Sequence, residues 1–146
     1  MLLGFNKQFG PRILDGSKIF TIRDKRKVTP KVGETIYMYS GLRTKWVMPI
    51  SKDHKYTGSQ IVRITIERLN PDGFFLSIAV YDNEGDVLIR SLHESQRSAF
   101  VKYDGFDSQR DFCEYWWKQE KRNACVKSNA CISVTKTIYH WTDFRY

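Results

Sequence analysis

The chain has 146 residues, of which 41% are hydrophobic, 14% aromatic and 27% charged. A chain of this length forms one domain with a real core, its aromatic content excludes disorder throughout, and no stretch approaches the roughly 18 consecutive apolar residues of a membrane span. The formal charge of +8 falls within residues 1–57, where twelve lysines and arginines oppose four acids. Beyond that point basic and acidic groups balance. Such asymmetry points to an anionic partner, nucleic acid first, with a solvated basic face as the alternative.

The elements read mostly as short strands. Leu2–Phe5 is a short apolar strand that soon meets Lys7, with no apolar signal-peptide region, so a cytoplasmic protein without a membrane partner is expected. Pro11 suits the first turn of a short helix carrying Ile13 and Leu14 and stopping at Gly16. Ile19–Arg23 is a strand with Phe20 and Ile22 on one face and Thr21 and Arg23 on the other. Pro30 to Gly33 forms a turn, and Glu34–Ser40 the next strand. Residues 41–59, with two glycines, a proline and mixed charge, read as an irregular inserted loop. Gln60–Leu69 and Phe74–Tyr81 are strands rich in β-branched and aromatic residues, and Asp82 to Gly85 turns the chain into Val87–Arg90.

Leu92–Phe100 suits a helix. Asp107–Lys121 is a clearer one, with Asp107 or Ser108 as N-cap and Phe112, Cys113, Trp116 and Trp117 as its apolar stripe. Cys131–Trp141 closes the chain as a long strand with Ile132, Val134, Lys136 and Ile138 on one face. Six or seven strands with two or three helices describe one mainly β domain over residues 1–146, of the α+β kind: a mostly antiparallel, partly closed barrel with flanking helices. There is no βαβ rhythm and no phosphate-binding glycine signature.

The three cysteines, Cys113, Cys125 and Cys131, are odd in number and lack a Cys-x-x-Cys pair, and His54, His93 and His140 are scattered. Zinc sites require four closely spaced ligands. The expectation is inert thiols, with no metal site and no cofactor.

The most informative segment is Gly16-Ser17-Lys18-Ile19-Phe20-Thr21-Ile22-Arg23-Asp24. Phe9 and Ile13-Leu14-x-Gly16 precede it. Lys18-x-x-Thr21-x-Arg23-Asp24, Gly33-Glu34, Ser40-Gly41-x-Arg43 and Asp104-Gly105-Phe106 then follow in order. This ordered set resembles the activating signal cointegrator homology (ASCH) family of PUA-like proteins over about residues 2–120. The resemblance implies a β-barrel with flanking helices that binds RNA or modified nucleosides. One bacterial branch of the family contains 4-acetylcytidine amidohydrolases. In that branch the motif Lys and Thr, which match Lys18 and Thr21, act with a later Glu, whose position matches Asp104. Asp for Glu is a departure that shortens the side chain by one methylene.

The chemistry these residues offer is concrete. Thr21 can attack an amide carbonyl if a base takes its proton. Lys18 can be that base if burial and nearby Arg23 and Arg43 depress its pKa. Asp104 can carry the proton to the leaving amine. Positions three apart on a strand face opposite ways, so Lys18 is placed in the turn after Gly16. The alternative is a solvated turn lysine and a β-forming threonine.

Arg23 suits a phosphate or a base edge, or pairing with Asp15 or Asp24. Ser40 and Arg43 at a strand end, helped by Lys45, suit a phosphate as well, or form a surface loop. Trp46, Tyr39 and the run Tyr139 to Tyr146 offer stacking surfaces, or core packing. The expected function is therefore binding of RNA or a nucleotide-like ligand in a basic cleft. The alternatives are an amidohydrolase deacylating an acylated pyrimidine nucleoside through Lys18, Thr21 and Asp104, and a single-stranded RNA nuclease.

Overall fold

Apolar residues at every second position drive two sheets. The computed structural model describes residues 1–42, 44–69, 73–122 and 131–146. The larger sheet contains β2 (Phe20–Arg23), β5 (Gly58–Leu69), β6 (Gly73–Tyr81), β7 (Leu88–Ser91) and β8 (Cys131–His140), in the order β2-β8-β5-β6-β7 and antiparallel throughout. The smaller one, in the order β1-β3-β4, contains β1 (Leu2–Phe5), β3 (Thr35–Ser40) and β4 (Met48–Lys55). Among the described residues no hydrogen-bonded strand pair joins the two sheets.

Two expectations change. One pairing is parallel, with Leu2 opposite Tyr37 and Phe5 opposite Ser40. It arises because β2 departs to the other sheet, and the chain returns through residues 24–34 to run β3 alongside β1. The supposed loop over residues 41–59 contains β4, which pairs antiparallel with β3 through a register shift on either side of Met38. Its sequence Met-Pro-Ile-Ser-Lys-Asp-His-Lys is exposed or half-buried throughout, so its backbone pairing leaves no alternating pattern to read. A turn at Gly41 leads into it. There φ is +67° and a Cβ would stand 2.5 Å from the Trp46 carbonyl oxygen, so only glycine fits.

Directly opposed residues of a sheet share a face. On one face of the larger sheet lie Phe20, Ile22, Ile138, Val62, Ile64 and Ile78, all buried. Helices α2 (Glu94–Tyr103) and α3 (Gln109–Arg122) cover it. Phe20 meets Phe100 of α2 with ring centroids 5.1 Å apart, and Phe74 meets Trp117 of α3 at 6.0 Å. Lys136, on that same face, reaches Glu120 of α3 at 3.0 Å. The opposite face carries Thr21, Arg23, Thr137, Tyr139, Ser59 and Ile61. Tyr139 lies against Tyr56, which follows β4, at 6.3 Å, and Trp141 against Phe5 of β1 at 6.2 Å. The short helix α1 (Gly10–Leu14) has Pro11 in its first turn, as its sequence predicts, and is followed by Gly16 at φ +79°. No described helix is long and apolar enough to cross a membrane.

The stripe Phe112, Cys113, Trp116 and Trp117 of α3 is buried. Its N-cap is Ser108, whose Oγ accepts the Asp111 backbone N–H at 3.1 Å and lies 2.7 Å from the Asp111 carboxylate. Ser108→Ala leaves that amide unpartnered and is expected to cost about 1 kcal/mol, read as a lower urea midpoint with unchanged slope.

Candidate functional site

Lys18 sits where the sequence predicts, in the turn between α1 and β2. Its backbone N–H donates to the Arg12 carbonyl at 2.8 Å, and the Ile19 N–H donates to the Tyr103 carbonyl at 3.0 Å. The turn is thereby stitched to α1 on one side and to the end of α2 on the other. Asp104 is the residue immediately after α2. Its own N–H closes on the Phe100 carbonyl at 3.0 Å.

The two side chains meet out of water. Lys18 Nζ lies 2.5 Å from Asp104 Oδ1, with side-chain exposures of 2% and 6%, and it also donates to the Asp104 carbonyl oxygen. The ammonium stands 4.8 Å from the Phe9 ring centroid and 6.0 Å from that of Phe5. Burial pushes the Lys18 pKa down and that of Asp104 up, against the attraction between them. Arg23 and the Ile22 backbone amide further favour the ionised carboxylate. Gly105, at φ +90°, permits the approach, because a Cβ there would come within 2.9 Å of Phe9 Cδ1 and 3.1 Å of Lys18 Cδ.

This pair lies in the wall of a cavity of about 890 Å³. Thr21 and Arg23 of β2 line it as well. Four residues singled out in the sequence therefore share one opening: Lys18, Thr21, Arg23 and Asp104. No hydrogen bond links the Thr21 hydroxyl to Lys18 or Asp104. Ser40 is buried at the end of β3 and outside the cavity wall, which takes Gly41, Leu42 and Thr44 instead. Lys45 lies outside the wall too, with its ammonium 5.4 Å from the centroid of the exposed Trp46 ring. Arg43 lies outside the described residues. Tyr139, His140 and Trp141 are core residues rather than stacking surfaces. Buried His140 has its pKa pushed down to about 3, and buried Cys113 has its thiol pushed up to about 12.

Two arginines give the cavity its sign. Arg23 donates to the Gly4 carbonyl, and its guanidinium stands 4.9 Å from the Phe5 ring centroid. Arg26, from the basic run Lys25-Arg26-Lys27, donates to the Leu2 carbonyl at 2.5 Å. Among the described residues neither pairs with a carboxylate. Asp24 is held by Lys136 at 2.7 Å, and the Asp15 carboxylate accepts the Ser17 N–H at 2.8 Å. Lys7 adds a third cation beyond the Lys18–Asp104 pair, and Asp104 is the one acid among the described wall residues.

The wall is also aromatic, from the buried Phe106 after α2 and from the half-buried Tyr115 and buried Trp116 of α3. Phe106 and Tyr115 have ring centroids 5.3 Å apart, and the buried Trp116 Nε1 and Arg23 Nε lack a hydrogen-bond partner. Sequence reasoning missed Lys7, Arg26, Phe106, Tyr115 and Gln119 as wall residues. The signal for the helical ones was the spacing 112, 115/116, 119, which sets one face of α3 toward the site.

No family model, curated protein or solved structure matches the chain.

Lys18→Met strands a buried carboxylate and is expected to cost about 3–5 kcal/mol near neutral pH. Without Lys18, the burial that raises the Asp104 pKa loses its main opponent. A group whose folded pKa exceeds its unfolded one stabilises the fold below the unfolded value, about 4, and this stability is lost as pH rises through the folded value. Urea unfolding from pH 4 to pH 8 should therefore show a deficit that widens with pH. The double variant Lys18→Met/Asp104→Leu should recover most of it. A pH-independent deficit would mean that Asp104 stays ionised in the folded variant, its burial relieved by water or another partner.

Proposed function

We propose that the protein binds single-stranded RNA, or a nucleotide-like ligand, in this cavity, as a cytoplasmic ASCH-type module whose two sheets act as a partly closed PUA-like barrel. The observation that carries this reading is the composition of one wall. Among the described residues Arg23, Arg26 and Lys7 are paired with no carboxylate, and they line the same cavity of about 890 Å³ as the half-buried Tyr115 ring. Phosphate oxygens accept from guanidinium groups, and unstacked bases lie on aromatic rings. The volume is in the range of small-ligand sites. The convergence of Lys18, Thr21, Arg23 and Asp104, the positions that match the family motif, supports the same reading.

A second reading has its own observation. Lys18 is pushed toward its neutral form by burial, beside a cavity-lining threonine and a carboxylate pushed toward its acid form. In the amidohydrolase reading, Thr21 Oγ attacks the amide carbonyl and Lys18 takes the hydroxyl proton. Asp104 delivers a proton to the leaving amine, and water then releases the acid from Thr21. The Thr21 hydroxyl must turn toward Lys18 for this, since no hydrogen bond joins them.

Both readings are testable with purified protein. Oligonucleotide binding should weaken steeply with salt. Arg23→Met should lower the slope of log affinity against log salt by about 0.7, the single-strand value per phosphate contact, and Tyr115→Leu should weaken binding roughly 10- to 100-fold, the worth of one stacked base, with little change in slope. An unchanged slope would remove Arg23 from the phosphate contacts. Incubation with 4-acetylcytidine, followed by liquid chromatography, tests the hydrolase. Turnover that vanishes in Thr21→Ala and Lys18→Met and rises in Asp104→Glu would establish it. No turnover by the parent protein leaves the binding module.

A further inference from the structure

A second, smaller cleft opens next to the first. It measures about 220 Å³, and its wall includes Lys25, Arg26, Ser59, Thr137 and Tyr139. Arg26 lines both clefts, so they adjoin. The sheet register explains their arrangement. Thr21 opposes Tyr139 and Tyr139 opposes Ser59, while Arg23 opposes Thr137 and Thr137 opposes Ile61. Both clefts therefore open on the same face of the larger sheet, the first at edge strand β2 and the second over β8 and β5. Two strand spacings, roughly 10 Å, separate β2 from β5.

The smaller cleft is built for an acceptor-rich anion. Among the described residues exposed Lys25 and half-buried Arg26 have no carboxylate partner, because Asp24 beside them is spent on Lys136. The Arg26 backbone N–H is fixed on the Tyr139 hydroxyl at 2.9 Å, which sets the basic turn over the cleft. Thr137 is 4% exposed, and its hydroxyl has no hydrogen-bond partner. A buried hydroxyl left unpaired costs free energy that a ligand acceptor would recover. Glu84, the one acid among the described wall residues, is exposed. The cleft is too small for a base stacked with its sugar and suits a phosphate.

We infer that this cleft holds a phosphodiester of the nucleotide next to the one in the main cavity, so that the ligand is a single strand crossing β2, β8 and β5 rather than a lone nucleotide. This rests on the nucleotide reading of the main cavity. Arg26 at the junction of the clefts bridges the two phosphates.

The test compares uridine 5′-monophosphate with a short oligouridylate on the parent protein, Lys25→Gln, Lys27→Gln and Thr137→Val. Lys27 is exposed and lines neither cleft, so its variant makes the same charge change off the site. Lys25→Gln should weaken the oligonucleotide about tenfold and lower its salt slope by about 0.7, the single-strand value per phosphate contact, while the mononucleotide is unaffected. Thr137→Val should weaken the oligonucleotide several-fold at an unchanged slope. Lys27→Gln should change either ligand by less than twofold. Equal effects of Lys25→Gln and Lys27→Gln, or equal losses for both ligands, would overturn the second site alone. Failure of both ligands to bind the parent protein, or mononucleotide binding indifferent to Arg23→Met, would instead overturn the reading of the main cavity.

Discussion

The contact between the Lys18 ammonium and the Asp104 carboxylate holds this corner of the molecule together. Each charge loses hydration worth several kcal/mol on burial, and the pair persists only where the remaining hydrogen-bonding capacity is used. Lys18 spends a second N–H on the Asp104 carbonyl, and the Ile22 backbone amide favours the ionised carboxylate. The Lys18 bonds tie the turn after α1 to the end of α2. The Ile19 N–H on the Tyr103 carbonyl ties that same end to the start of edge strand β2. Three elements distant in sequence are thereby set in register around one cavity, and Gly105 is the residue whose missing side chain lets them close.

Because the pair is neutral as a unit, the positive character of the cavity comes from its neighbours, and β1 holds these in place. The Met1 carbonyl accepts from Tyr37 of β3 at 2.7 Å. Carbonyls alternate along a strand, so those of Leu2 and Gly4 turn to the free side, where Arg26 and Arg23 take them. Two arginines thus satisfy the open edge of a short strand, which also blunts it against pairing with another chain. Each guanidinium is pre-oriented toward the cavity by a single bond and keeps donors for a ligand, so binding an anion orders little that is not ordered already. The parallel pairing of β1 with β3, absent from the expected antiparallel pattern, is what presents those two carbonyls.

The sequence was most legible where periodicity and chemistry coincide. The alternation of Phe20 and Ile22 against Thr21 and Arg23, the stripe of α3, and the Lys18 turn after Gly16 are all visible as patterns, and the structure puts them where those patterns point. The segment around β4 was illegible because an exposed strand held by backbone bonds has no apolar period. Ser40 was read as a phosphate ligand from its place at a strand end, but β3 turns its side chain inward, and the following turn supplies the wall instead. Arg26 was hidden in a run of like charges. Only the position of the Leu2 carbonyl separates it from exposed Lys25 and Lys27, and that is a tertiary fact. Tyr115 was hidden for the opposite reason: on a helix rich in aromatics it reads as core until the end of α2 leaves one side of it open.

Binding and chemistry at this site are not independent alternatives. In the cavity wall Lys18 is engaged twice by Asp104, and a lysine so engaged is a poor base for the neighbouring threonine. A ligand that fills the cavity replaces the solvent beyond this buried pair, and lower local polarity favours the neutral forms of both groups over the two ions. Across a 2.5 Å contact the proton moves from Nζ to the carboxylate with almost no displacement of heavy atoms. The base and the acid of the hydrolytic scheme would then be generated together, and only when the cavity is occupied. On this argument a ligand that binds through the arginines and leaves solvent in the rest of the cavity is held without being cleaved. The step from binding module to hydrolase turns on how completely a ligand displaces solvent from the cavity beside the buried pair.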